Sequence, residues 1–227
     1  MYKVCVFIAL LLIFPVSNFS IEGSKTKSAK TALSENQKLY KEMGLEKEVS
    51  YKAFEQAMLG YKKLKPRNKE VVTLIDFTKP STKERLYVLD IKDKKLLFKS
   101  HVSHGQRSGE NYATSFSNKN GSHKSSLGFY TTGQTYKGRN GYSLILNGQE
   151  RGINDLARKR SIVIHAADYA NPSVIESSGR LGRSHGCPAL PEYINDTIID
   201  AIKDGSLLYI YADNKLYQNQ SRILSRR

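Results

Sequence analysis

The chain has 227 residues, enough for one sizeable core and a small appendage rather than two full domains. Its 39% hydrophobic and 25% charged content excludes wholesale disorder. A net charge of +15 excludes an acidic surface and points towards polyanions, although the basic residues are spread along the chain and many serve as a solvated face.

Read from the start, Met1 to Lys3 carries a positive charge, Val4 to Phe14 is an unbroken apolar run, and Pro15 to Ser20 is a short breaker region. That order of parts is a secretory signal peptide over residues 1–20. The run falls short of the roughly 20 apolar residues that a permanent span needs, so the expectation is an exported protein of the periplasm or cell envelope with no permanent membrane span after cleavage. Asn18 and Phe19 make a poor small-x-small site and leave the cleavage point unassigned. In that compartment anionic cell-wall polymers are the expected polyanion, and nucleic acid is not. Of two cysteines, Cys5 leaves with the leader and Cys187 stays unpaired, so an intramolecular disulfide is excluded. An unpaired cysteine in an oxidising compartment is either a reactive thiol or a small buried hydrophobe.

Glu22 to Lys30 reads as a polar linker, and Ser34 to Met43 as a short helix closed by Gly44. Ala53, Phe54, Ala57, Met58, Tyr61 and Leu64 recur at three and four residue intervals after Ser50, which predicts a second helix ended by Pro66. Residues 21–66 are thus a leader and a small helical cap. The period then shortens. Val71 to Phe77, Arg85 to Ile91 and Leu96 to Val102 predict a β-meander. A polar stretch from Gly105 to Gly141 follows, interrupted by a strand at Leu127 to Thr132. Further strands are predicted at Tyr142 to Leu146, Ser161 to His165 and Leu207 to Tyr211, with a helix over Pro191 to Asp204. Residues 67–213 form the main domain, and 214–227 a loose basic tail.

Chemistry concentrates where Ile162-Val163-Ile164 ends on His165 and Ser184-His185-Gly186-Cys187 follows. A strand end presents a base on a rigid support. A cysteine needs such a neighbour, because at neutral pH little of an ordinary thiol is ionised. Gly186 permits close backbone approach, and N–H groups there are candidates for an oxyanion hole. The arrangement suits acyl transfer. A zinc site built from the same histidines and cysteine, and a histidine merely satisfied in the core, are the alternatives that spacing leaves open; no H-E-x-x-H or C-x-x-C motif is present.

Four blocks in order, Leu127-Gly128-Phe129-Tyr130, Asn140-Gly141-Tyr142-Ser143-Leu144, Gly152-Ile153-Asn154-Asp155 and Gly182 to Pro191, resemble the murein L,D-transpeptidase catalytic domain proteins, a branch of the YkuD-type enzymes that carry Ser-His-Gly-Cys. The likeness runs from about Leu33 to Ala212. It implies a mainly β fold with a few helices, a β-sandwich or barrel-like catalytic domain with a small N-terminal helical cap. It also implies peptidoglycan tetrapeptide stems as substrate, with Cys187 as nucleophile, His165 as base, His185 lining the site, and Gly186 and Cys187 offering oxyanion donors. Arg183 and Ser184, with Tyr130 and Tyr142 from the upstream blocks, become candidate substrate contacts; for Arg183 a structural ion pair is the alternative. The product is a 3-3 cross-link if an amine resolves the thioester, or a shortened stem if water does, and no metal or other cofactor is needed. A noncatalytic wall-binding protein of the same fold is the competing reading. Two departures bear on substrate preference: Ala166 follows the upstream histidine where many members have Ser, Thr or Gly, and Pro188-Ala189 follows Cys187 where most have Arg or Asn at the second position.

Overall fold

In the computed structural model, described for residues 1–2, 33–68 and 70–225, the chain from Leu33 onward forms one compact unit. The apolar leader and its polar linker lie outside the described residues, as does the Arg226-Arg227 end. Helix α1 (Glu35–Glu42) starts at a capping box: the Ser34 hydroxyl accepts from the Gln37 backbone N–H, and the Gln37 side chain accepts from the Ser34 N–H. Helix α2 (Tyr51–Leu64) buries Ala53, Phe54, Ala57 and Met58, the periodic positions of its sequence. Burying a side chain of Phe or Met size contributes about 1.5–3 kcal/mol, and this face is what holds the helix. Gly60 sits inside α2 because a Cβ there would fall 2.1 Å from the Phe129 ring.

α2 packs on strands β1 (Val71–Asp76) and β8 (Leu207–Tyr211), and helix α4 (Glu192–Ile202) also packs against β1. With helices packed on it, β1 is buried at every position, which explains why apolar residues fill four of its six places with no alternation, the exceptions being buried Thr73 and Asp76. The remaining strands are β2 (Leu86–Asp90), β3 (Lys95–Ser100), β4 (Gly128–Gly138), β5 (Gly141–Gly148), β6 (Val163–Ala166) and β7 (Ala189–Leu190), in the sheet order β3-β2-β1-β8-β4-β5-β6-β7. β1–β8 and β6–β7 are parallel, the other pairs antiparallel. The two ends of this order approach each other, because the chain just after β3 bridges to β7 at Ser103 and Ala189 and to the next loop at Gly105 and Ser184. The result is a barrel-like, nearly closed eight-stranded sheet with few helices, as the sequence led us to expect.

Four elements differ from the sequence reading. β4 runs on to Gly138, past the expected end at Thr132, through a register shift between Thr132 and Thr135. Its polar, glycine-bearing second half has no strand signature of its own and is held by pairing with β5. β7 is only two residues long, between Pro188 and Pro191. The segment after Asp213, expected to be loose, carries helix α5 (Lys215–Gln220), capped by the Asn214 side chain and anchored by buried Tyr217. A short helix, α3 (Ser173–Ser178), stands between β6 and β7. Among the described residues no helix is long and apolar enough to cross a membrane.

Candidate active site

β6 is a short apolar strand, and its third residue, His165, lies opposite Ala189 of β7. Cys187 stands two positions before Ala189, so strand pairing fixes the spacing between the histidine and the cysteine. Both line one cleft of about 770 Å³. Its other walls are Arg139, Asn140 and Gly141 at the β4–β5 turn, Ala166 to Tyr169 after β6, Arg183 to His185, and Glu192 at the start of α4.

The His165 ring donates its Nδ1–H to the Ala166 carbonyl at 2.8 Å. A carbonyl only accepts, so the neutral ring carries its proton on Nδ1 and keeps the Nε2 lone pair available. Burial pushes the His165 pKa below 6.5, with the Ala166 carbonyl pulling the other way. Burial also pushes the Cys187 thiol above 9.0, opposed by a backbone hydrogen bond from Val163 and by the Arg160 guanidinium. Both shifts favour the uncharged forms, a neutral imidazole and a neutral thiol. The thiol itself points at the Ser161 carbonyl, 3.6 Å away. Tyr169, raised to about 12 by burial, Cys187 and Asp168, keeps its phenolic proton.

The loop that carries Cys187 is held from behind by backbone and small polar groups. The Ser184 N–H donates to the His104 carbonyl at 2.9 Å and the Gln106 N–H to the Ser184 carbonyl at 2.8 Å. The Ser184 hydroxyl accepts from the Gly186 N–H at 2.9 Å and donates to the Cys187 carbonyl at 2.6 Å, which closes the turn on itself. Gly186 has φ +127°, and a Cβ there would meet the Lys124 carbonyl at 2.9 Å, so glycine is required both by conformation and by space.

These contacts sort the expected site residues. Cys187, His165, His185, Arg183 and Ser184 line the cleft. Gly186 is buried, and its N–H is already committed to Ser184, so it is not an oxyanion donor; the N–H groups of His185 and Cys187 have no acceptor among the described residues. Arg183 pairs with Glu110 at 2.7 Å and donates to the Gln106 and Gly109 carbonyls, the structural ion pair that the sequence left open. The His185 ring stacks on His123 with centroids 4.3 Å apart. Tyr130 is 1% exposed and its hydroxyl donates to the Ser126 carbonyl, so it packs the core instead of meeting substrate. Tyr142 turns its hydroxyl to Asp200 at 2.8 Å and is not among the cleft residues. Arg139, Tyr169 and Glu192 were missed; the one signal for Arg139 was its place in the turn Gly138-Arg139-Asn140-Gly141. Among the described residues no three His, Cys, Asp or Glu side chains converge as a metal site.

No curated protein matches the chain in sequence. Solved structures similar to it include an L,D-transpeptidase from Mycobacterium smegmatis, at 15% identity and a TM-score of 0.40 over 63% of this chain and 59% of that one. Another is the helical cell shape determining protein Pgp2 from Campylobacter jejuni, at 16% identity and a TM-score of 0.45 over 64% of this chain and 48% of that one. In both cases the match spans less than two thirds of the neighbour's length. Residues 45–211 match the family model of the L,D-transpeptidase catalytic domain, from just before α2 to the end of β8, with His165 and Cys187 inside the match. The chain belongs to the L,D-transpeptidase catalytic domain family.

Proposed function

We propose that this protein is an exported cysteine acyltransferase that acts on peptidoglycan tetrapeptide stems through a thioester on Cys187. The observation that carries the reading is that Cys187 and His165 line one cleft while the Ala166 carbonyl holds the imidazole in the tautomer a base requires. His165 Nε2 takes the thiol proton as sulfur attacks the carbonyl carbon between the third stem residue and the terminal D-alanine. The carbonyl oxygen becomes an oxyanion, met by the spare N–H groups of Cys187 and His185. Collapse breaks the C–N bond, His165 returns its proton to the departing amine, and D-alanine leaves. An amine of a second stem, or water, then attacks the thioester with His165 again as base, giving a 3-3 cross-link or a tripeptide. Arg139, free of any carboxylate partner among the described residues, is the cleft's cation for an anionic stem, since Arg183 is engaged by Glu110. Export rests on residues 1–20, and the +15 charge suits attachment to anionic wall polymers.

The test is intact mass after incubation with a carbapenem, followed by muropeptide analysis, with Cys187→Ala as control. A single adduct and release of D-alanine, both lost in the variant, are expected. D-alanine release that persists in a folded Cys187→Ala protein would overturn the proposal. An unreactive Cys187 with salt-sensitive sedimentation on sacculi would favour the noncatalytic wall-binding reading.

A further inference from the structure

Arg160 lies outside the cleft lining but against the nucleophile loop. It precedes Ser161, whose carbonyl faces the Cys187 thiol, and its Nη2 is 3.3 Å from where a Cβ on Gly186 would stand. Its guanidinium is held by four acceptors on one neighbouring stretch: the Ser117 carbonyl at 2.9 Å, the Ser126 hydroxyl at 2.6 Å, the Ser122 hydroxyl at 3.3 Å and the Lys124 carbonyl at 2.6 Å. Every one of these partners is neutral. Arg160 has no carboxylate partner among the described ion pairs, so its charge is not cancelled locally, whereas Arg180 and Arg183 share Glu110. The Lys124 carbonyl it grips is also the atom nearest the Gly186 Cβ position, at 2.9 Å.

We propose that Arg160 is a positioning residue for the nucleophile: it locks residues 117–126 beneath Gly186 and keeps a fixed, uncompensated positive charge beside the sulfur that must become a thiolate. The inference rests on Cys187 being the attacking group. The chemical need for it follows from the neutral resting pair. When His165 takes the proton, a negative charge appears on sulfur and then on the carbonyl oxygen, within a site that burial has partly dehydrated. The imidazolium formed at that moment is one counter-charge. Arg160 is the one already in place before the proton moves, and because it is fixed by four hydrogen bonds, no reorganisation is needed to use it. Its field already opposes the burial that raises the thiol pKa. The other titratable groups that line the cleft with Cys187 are His165 from β6, Asp168 and Tyr169 from the turn after it, Arg183 and His185 from the loop before β7, Glu192 from α4 and Arg139 from the β4–β5 turn.

The experiment follows alkylation of Cys187 by iodoacetamide against pH, read at the Cys187 peptide by mass in the full chain, for the wild type, Arg160→Gln and Arg160→Lys. Arg160→Gln is expected to move the alkylation midpoint up by about half a pH unit or more, roughly threefold slower labelling below it, with Arg160→Lys restoring most of the shift. On stem substrate kcat falls while KM stays, since Arg160 does not line the cleft. Coincident profiles for all three folded proteins would overturn the proposal, because a purely structural arginine changes stability and not the thiol's titration. Arg160→Met, which keeps the stem's volume, is the second neutral variant. Should Arg160→Gln not fold, Arg160→Met decides in its place: a midpoint raised by about half a unit supports the fixed charge, and a wild-type midpoint overturns it. Thiol titration is read without turnover, so absence of D-alanine release sinks the acyltransferase reading and leaves this measurement standing.

Discussion

Two polar clusters, one around Glu150 just after β5 and one around Cys187 just before β7, are finished differently. Around Glu150 every group has a partner within the chain: one carboxylate oxygen accepts from the Phe129 N–H at 2.9 Å and the Tyr217 hydroxyl at 3.1 Å, the other from the Ser221 hydroxyl. Asn154 accepts from the Glu150 N–H and donates to the Leu127 and Phe129 carbonyls. Around Cys187 the accounts stay open. His165 Nε2 and the Cys187 N–H have no partner among the described residues, and the thiol has a long contact to the Ser161 carbonyl and a backbone hydrogen bond from Val163. Buried polar groups are normally satisfied, so a cluster complete in itself fixes the fold, and one with spare groups beside a cleft is shaped for an outside partner. The comparison can be broken by substitutions that affect the wrong property.

The largest effect belongs to His165→Gln. Loss of the proposed base is expected to lower kcat by about 10²–10⁴ while the unfolding free energy changes by less than about 1 kcal/mol. In the wild type the acid limb of kcat/KM reports the base losing its function as it gains a proton. Burial holds His165 below 6.5, so that limb lies below pH 6.5, and it is absent from any residual activity of the variant. A variant that unfolds readily but keeps its turnover when folded would reverse the roles assigned to the two clusters.

Glu150→Ala is the mirror case. It strands the Phe129 N–H and two hydroxyls, at a cost of about 3 kcal/mol, and should lower the denaturant midpoint while carbapenem labelling of Cys187 in the remaining folded protein is unchanged. The carboxyl also carries a pH signature. Burial raises its folded-state pKa above 4.5, so the folded protein binds the proton more tightly than the unfolded chain. Its contribution to stability is fully present below 4.5 and is lost as pH rises through the folded value. Set against Glu150→Gln, which cannot titrate, the wild type should lose relative stability across that interval; a flat difference would mean that burial does not perturb Glu150.

What could be read in advance follows the same division. α2 was legible because Ala53, Phe54, Ala57 and Met58 repeat at helical spacing, and β1 and β8 because burial at every position fills them mainly with apolar, β-branched and aromatic residues. Cys187 and His165 were legible because ionisable residues at the end of an apolar strand and in a glycine turn need a reason to be there. Arg139, Tyr169 and Glu192 were not, since they come from a hairpin turn, a 3-10 turn (Asp168–Ala170) and a helix start that meet only through the pairing of β6 with β7. α5 was hidden because the group that anchors Tyr217 by hydrogen bond, Glu150, lies far away in the chain.

The tyrosines of the two upstream blocks mark the limit of such reading, and Tyr142→Phe tests it with the smallest effect. Tyr130, on β4, shows why a motif residue need not touch substrate: its hydroxyl is spent on the Ser126 carbonyl in the core. The Tyr142 hydroxyl is spent on Asp200, whose carboxylate also takes Lys203 at 2.9 Å, so removing it costs one partly solvated hydrogen bond in a small surface network. A loss of at most about 0.5 kcal/mol is expected, with kcat and KM for stem substrate unchanged. A KM raised several-fold at constant stability would instead mean that Tyr142 leaves Asp200 and turns towards the stem when substrate binds. The β4–β5 turn carrying Arg139 would then be a moving wall of the cleft rather than a fixed one.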